Sequence, residues 1–241
     1  MKNYLIKSLY HIKNKNWQVL DRSYEVDLHE NYLQMHDISC ASFDQYLQGD
    51  WELKFITGEF ENINQAFEYT HWMISKYWHQ GNCNILYTDP DTVCQKPTDI
   101  FNKFDKFMMF NYTEPRTFDQ PNPYGCYFEN FFNAGVRYFP AVMDRKLWGL
   151  GNTLATKWDH STYDTEQLIL NAMLWRQKVT LEQVLHPEIA YQAPRLPFIS
   201  QQAQDEWNGI AMSQAHIVHV HGSRNSAIKL NLMKEIREAT K

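Results

Sequence analysis

Asn84-Ile-Leu-Tyr-Thr-Asp-Pro-Asp-Thr-Val-Cys-Gln-Lys-Pro-Thr-Asp-Ile100 runs from a short apolar segment straight into a pair of aspartates. Residues 84–88, bounded by Gly81 and Pro90, read as a buried strand. Asp89 and Asp91 then lie just beyond its carboxyl end. Pro90 fixes its own φ and keeps Asp89 out of the helical region, so the turn is stiff. Two carboxylates flanking one residue can face a single pocket, and their hard oxygens suit Mg²⁺ or Mn²⁺, ions that commonly complete their coordination with substrate phosphates. Asp and Pro are also common turn formers, and Asp-Pro-Asp alone reads more readily as a plain turn. The surrounding chain has to decide.

Working outward, residues 4–10 and 51–57 read as strands, 27–48 as a helix that Asp27 could cap, and 63–79 as a helix ended by Gly81. Strand, helix, strand, helix, strand is how a parallel sheet is built, and ligands of such sheets bind beyond the strands' carboxyl ends. Further on, 106–110 and 134–139 read as strands, 112–125 as a proline-rich loop, 163–177 as a helix, 216–221 as a late strand and 226–239 as an amphipathic closing helix. No repeat or linker interrupts residues 1–241, which read as a single α/β domain.

The bulk numbers narrow the function classes. Aromatic residues make up 15% of the 241, enough for a ring-filled core and for faces on which sugars or bases stack. The net charge of −5 and the lack of a basic block argue against binding a nucleic-acid backbone. Cys40, Cys83, Cys94 and Cys126 form no C-x-x-C pair and read as free thiols of a reducing cytosol. Neither a signal peptide nor a membrane span is visible, so a cytoplasmic location is expected.

The Asp89-Pro-Asp91-Thr segment resembles the D-x-D-T segment of family 8 glycosyltransferases, with Pro90 where that family usually has a small residue. Three further segments follow in the family's order. Phe132-Asn133-Ala134-Gly135-Val136 is similar to its sugar-pocket segment. Asp164-Thr-Glu166-Gln167-Leu-Ile-Leu-Asn171 is similar to its D-Q-x-x-[LF]-N segment, with Glu166 in place of Asp. Ile217-Val-His219-Val-His-Gly222 is similar to its late [IV]-[IV]-H-x-x-G segment. Together they span residues 84–222. The family's Lys three residues after that glycine is Asn225 here, with Lys229 or Arg224 as substitutes, and its early base-gripping loop has no match in the first 80 residues.

The resemblance implies a GT-A-type fold: α/β, a mostly parallel central sheet flanked by helices. It implies Asp89, Asp91 and His219 as metal ligands, with His221 as the substitute for His219. Asn133, Glu166 and Gln167 would act at the sugar, Gly135 and Gly222 would allow close backbone approach, and Lys229 would meet the diphosphate. Each has a duller alternative: Asn133 a turn amide, Gln167 a solvated helix residue, Asp164 an N-cap with Gln167 as its box partner. His216, His219 and His221 read as sharing one strand face, and an imidazole beside two carboxylates favours Mn²⁺ over Mg²⁺.

The implied reaction moves a hexose from a nucleoside-diphosphate sugar, UDP-glucose or UDP-galactose by resemblance, to an acceptor hydroxyl, with retention of configuration. The acceptor stays open between glycan, protein, lipid head group and modified nucleic acid. A sugar nucleotidyltransferase is a rival, although the Gly-rich basic N-terminal loop of that class is not visible. A non-catalytic relative that binds a sugar or a protein is another.

Overall fold

The computed structural model describes residues 1–13, 18–19, 22–23, 29–112, 132–160, 165–178, 186–194, 199–220 and 225–240. Strand β1 (Lys2–Ile12) carries Leu5 and Ile6 fully buried side by side, the run expected of a strand covered on both faces. The two-residue strands β2 (Gln18–Val19) and β3 (Arg22–Ser23) pair with each other. Helix α1 (His29–Tyr46) leads to β4 (Glu52–Phe60), which lies parallel to β1. Helix α2 (Ile63–Gly81) is capped by Asn62, whose side chain accepts from Gln65 N. Its last helical residue is Gly81, and the reversal falls on Asn82, which adopts the left-handed conformation at φ 44°. Asparagine is one of the few residues that tolerate this region, so the expected glycine stop is displaced by one residue.

Strand β5 (Cys83–Thr88) pairs parallel to β1 on the side opposite β4 and is buried along its whole length. The strand–helix order read from the sequence thus builds the parallel half of the sheet. After β6 (Thr92–Cys94) and the short α3 (Ile100–Lys103) come β7 (Met108–Tyr112) and β8 (Phe132–Phe139). The main sheet has the order β4-β1-β5-β8-β7, and β8 alone runs against the others. Helices α4 (Arg145–Ala155) and α5 (Thr165–Arg176), strand β9 (Ala190–Gln192), helix α6 (Gln201–Asn208), strand β10 (Ile217–His219) and helix α7 (Ser226–Ala239) complete the chain. The architecture is mixed α/β with a mostly parallel central sheet flanked by helices.

A second sheet, β6-β10-β9, joins the segment after β5 to the later part of the chain. β10 joins β6 antiparallel and β9 parallel, which sets Thr92, His219 and Gln192 in one row across the sheet. Ile217 packs into the main core, while Val218, Val93 and Tyr191 face a second core closed by Met35 of α1 and Leu230, Met233 and Ile236 of α7. This alternation turns His219 towards the main sheet. The high aromatic content fills the interior: Phe107, Phe139 and Trp148 stack in sequence at centroid spacings of 4.9 and 5.0 Å.

Candidate metal and substrate site

The Asp89-Pro90-Asp91 turn leaves β5 at its carboxyl end and is tied down on both sides. Asp89 N donates to Gly135 O of β8 at 2.8 Å, Thr92 Oγ1 donates to Asp89 O at 2.7 Å, and Val220 N donates to Asp91 O at 2.8 Å. The last of these draws the end of β10 alongside the turn, which brings in His219. Its Nε2 lies 3.2 Å from Asp91 Oδ1 and 3.7 Å from Asp89 Oδ2. One ligand atom from each of Asp89, Asp91 and His219 falls within 4.8 Å of the others, the arrangement of a metal-binding group. Two carboxylates and one imidazole form a donor set that could hold a divalent metal ion.

Gly135 is what lets the histidine in. A methyl group at that position would overlap His219 Cε1, lie 2.7 Å from its Nδ1 and 2.8 Å from Asn133 Oδ1. No larger residue fits between β8 and the imidazole. Asn133 and Gln167 then lock together beside it. Gln167 Oε1 accepts from Asn133 Nδ2 at 3.0 Å and from Ala134 N at 3.2 Å, while Asn133 Oδ1 accepts from Gly135 N at 2.7 Å. Asn171 carries this brace down α5, with Oδ1 accepting from Phe132 N and Nδ2 donating to Phe132 O.

Glu166 does not stand open to the pocket: it is 5% exposed and ion-paired at 2.6 Å with Arg137, a residue absent from the sequence reading. Arg137 also donates to Ala134 O and lies 3.9 Å over the Tyr87 ring. Burial raises the Glu166 carboxyl above its ordinary value, with the guanidinium working against it. A signal for Arg137 was present, since residues 133, 135 and 137 alternate onto one strand face.

Lys229 projects from the first turn of α7 onto Asp91, with Nζ 2.6 Å from Oδ2. Burial works against the charge on each partner. Their mutual attraction wins, lowering the Asp91 carboxyl well below the ordinary range and raising the lysine. Asp89 is more open, with 31% of its side chain exposed against 8% for Asp91, and loss of hydration raises its carboxyl. Asn225, at the family's lysine position, caps α7 by accepting from Ala227 N and Ile228 N.

Beneath the turn, Lys7 of β1 is fully buried. Its ammonium donates to Ser39 Oγ and Thr88 Oγ1, each at 2.6 Å, and Ser39 Oγ reaches Thr92 Oγ1 at 3.1 Å. Burial lowers its pKa to about 8. The lysine thus grips the residue before the turn directly and the residue after it through one serine.

The fold that carries this site has a known parallel. No protein-family model matches the chain, and no curated protein matches it in sequence. A solved structure does match. The fold is similar to that of a glycosyltransferase. That protein is involved in the glycosylation of the major capsid of PBCV-1, and the superposition has a TM-score of 0.56 over 98% of this chain and 100% of that one, at 12% identity. At that identity the likeness is one of fold, and it agrees with the GT-A-type architecture expected from the sequence.

Among the residues singled out in the sequence, Asp89, Asp91, His219, Gly135, Asn133 and Gln167 converge on one region, with Lys229 bonded to it. His216 does not join them. Three residues from His219 in a period-two strand, it turns the other way, and its Nδ1 lies 2.7 Å from Pro97 O. His221, Gly222, Arg224 and Asp164, the cap position Asp27 and all but the start of the 112–125 loop lie outside the described residues. Cys40, Cys83 and Cys94 are free thiols; Cys126 lies outside the described residues. Among the described residues, no helix is long and apolar enough to cross a membrane.

Proposed function

We propose that residues 1–241 form one glycosyltransferase domain that moves a hexose from a nucleoside-diphosphate sugar, UDP-linked by resemblance, to an acceptor hydroxyl, with Mn²⁺ as cofactor. The observation that carries this reading is the Asp89, Asp91 and His219 cluster at the carboxyl end of β5, on a fold similar to a solved glycosyltransferase. A cation bound there would supply Lewis-acid stabilisation of the charge growing on the diphosphate leaving group.

The chain's own residues divide the remaining work. Asp89, Asp91 and His219 would hold the cation. Lys229, now bonded to Asp91, would meet the diphosphate once it leaves that carboxylate. Asn133 and Gln167, their amide planes fixed by their mutual bond, orient the hexose hydroxyls, and positioning of this kind supplies much of the rate. Glu166 acts through Arg137 as a positioning group rather than as a nucleophile. Retention of configuration, by front-face attack, follows from the family 8 resemblance.

Mn²⁺-dependent hydrolysis or transfer from UDP-glucose or UDP-galactose tests the reading. Asp89→Ala, with the fold intact by circular dichroism, is expected to abolish it; full activity in that variant overturns the assignment. A second reading is favoured by one observation, the Lys229 ammonium seated on Asp91, which already neutralises one ligand. On that reading the protein is a metal-free sugar-binding relative. Calorimetry with UDP plus and minus Mn²⁺ separates the two, since only the enzyme reading requires metal-linked binding.

A further inference from the structure

Gln192, which the sequence reading passed over, closes β9. Its backbone is in register with His219 on the adjacent parallel strand, so the two side chains leave the same face of the small sheet. That is the face turned towards Gly135 and the aspartate turn. Gln192 is 8% exposed, yet its Oε1 is buried with no hydrogen-bond partner. An amide oxygen stripped of water and left unmatched is unfavourable, so such a group beside a candidate site calls for a partner, and a ligand's donor would supply it.

The strand order says which part of a ligand could do so. In β6-β10-β9, Thr92 adjoins Asp91 on one side of His219 and Gln192 lies on the other. Adjacent strands are about 4.8 Å apart, which puts Gln192 roughly two strand spacings from β6 and the carboxylates. It is therefore set beyond the cation-binding group. On that side β9 packs against β7, whose neighbour β8 carries Asn133 in register with Asn111 of β7. The group offered to Gln192 Oε1 would thus be a hydrogen-bond donor on the side of His219 away from β6, towards the β8 strand that carries Asn133.

We infer that Gln192 is a donor-sugar contact: its Oε1 accepts a hydrogen bond from a hydroxyl of the hexose, and it helps to set which hexose is taken. The inference rests on the glycosyltransferase reading. It places a third amide around the sugar, contributed by the small sheet rather than by β8 or α5.

The test compares wild type with Gln192→Met, which keeps the side chain's length and removes the acceptor, and Gln192→Glu, which keeps an acceptor oxygen. Calorimetry with Mn²⁺ is run on UDP, UDP-glucose and UDP-galactose, and each variant's melting temperature is measured without ligand. Gln192→Met is expected to bind UDP within twofold of wild type, to lose tenfold or more for the preferred UDP-hexose, and to melt no lower than wild type because no protein bond is broken. Gln192→Glu is expected to retain most of the sugar-dependent gain. A Gln192→Met variant that loses UDP and UDP-hexose equally, loses neither, or melts several degrees lower overturns the inference and leaves the glycosyltransferase reading intact. Failure of the wild type to bind any of the three with Mn²⁺ overturns that reading, and the inference with it.

Discussion

Gly135→Ala tests the site at its tightest point. The added methyl would overlap His219 Cε1 and stand 2.7 Å from Nδ1, where a relaxed contact needs about 3.5 Å. The imidazole must move by more than about an ångström to clear Cε1, and its other nitrogen is held 3.2 Å from Asp91. Overpacking of this kind costs about 1–3 kcal/mol of stability. Misaligning a ligand typically lowers metal affinity about 10- to 100-fold. Two other glycines act as controls. At Gly151 the obstacle is Met173 Sδ at 2.5 Å, the end of a flexible side chain that can swing away, so Gly151→Ala should cost less and leave metal binding alone. At Gly149, on the exposed face of α4, nothing lies within 4 Å, and alanine should stabilise the helix by about 0.5–1 kcal/mol. Urea unfolding and Mn²⁺ calorimetry read all three variants. Wild-type Mn²⁺ affinity in Gly135→Ala, or an equal loss in Gly151→Ala, refutes the claim that His219 depends on this gap.

Arg137→Met strands the buried Glu166 carboxylate and should cost about 3–5 kcal/mol in urea unfolding, whereas Arg137→Met with Glu166→Met should recover much of the loss. Lys229→Met removes the ammonium that competes for Asp91, so Mn²⁺ affinity without nucleotide should rise by up to about tenfold while UDP affinity falls; calorimetry reads both, and a fall in metal affinity counts against the competition. For Lys7, the folded pKa of about 8 lies below its ordinary 10.5, so between these values the unfolded chain binds more protons and stability rises with pH. From pH 7 to pH 10.5 wild type should gain about 3 kcal/mol relative to Lys7→Met, measured as the difference in unfolding free energy at each pH; a flat difference refutes a lysine pKa lowered by burial.

Much of this was legible along the chain because it is local. A strand that ends in two carboxylates declares itself by an apolar run and a proline, and β5 is buried throughout as that run implies. Asn133 and Gly135 could be paired by strand periodicity, and the alternation of strands and helices up to Thr88 implied parallel pairing, which β1, β4 and β5 adopt. Of the small sheet, β10 showed in the alternation of 216–221, but β6 and β9 have only three residues and no flanking alternation to reveal them, so the sheet itself went unseen.

What only the tertiary structure decided are the pairings of residues far apart in sequence. Lys229 meets Asp91, Arg137 meets Glu166, and Lys7 reaches Ser39 and Thr88. A buried charge needs a partner, but its own sequence neighbours do not say which one, because the choice depends on which strand ends the packing brings together. The same holds for His219. Its place in the family 8-like segment suggested a ligand, yet the antiparallel register of β10 on β6 and the missing side chain at Gly135 are what set it against the two aspartates.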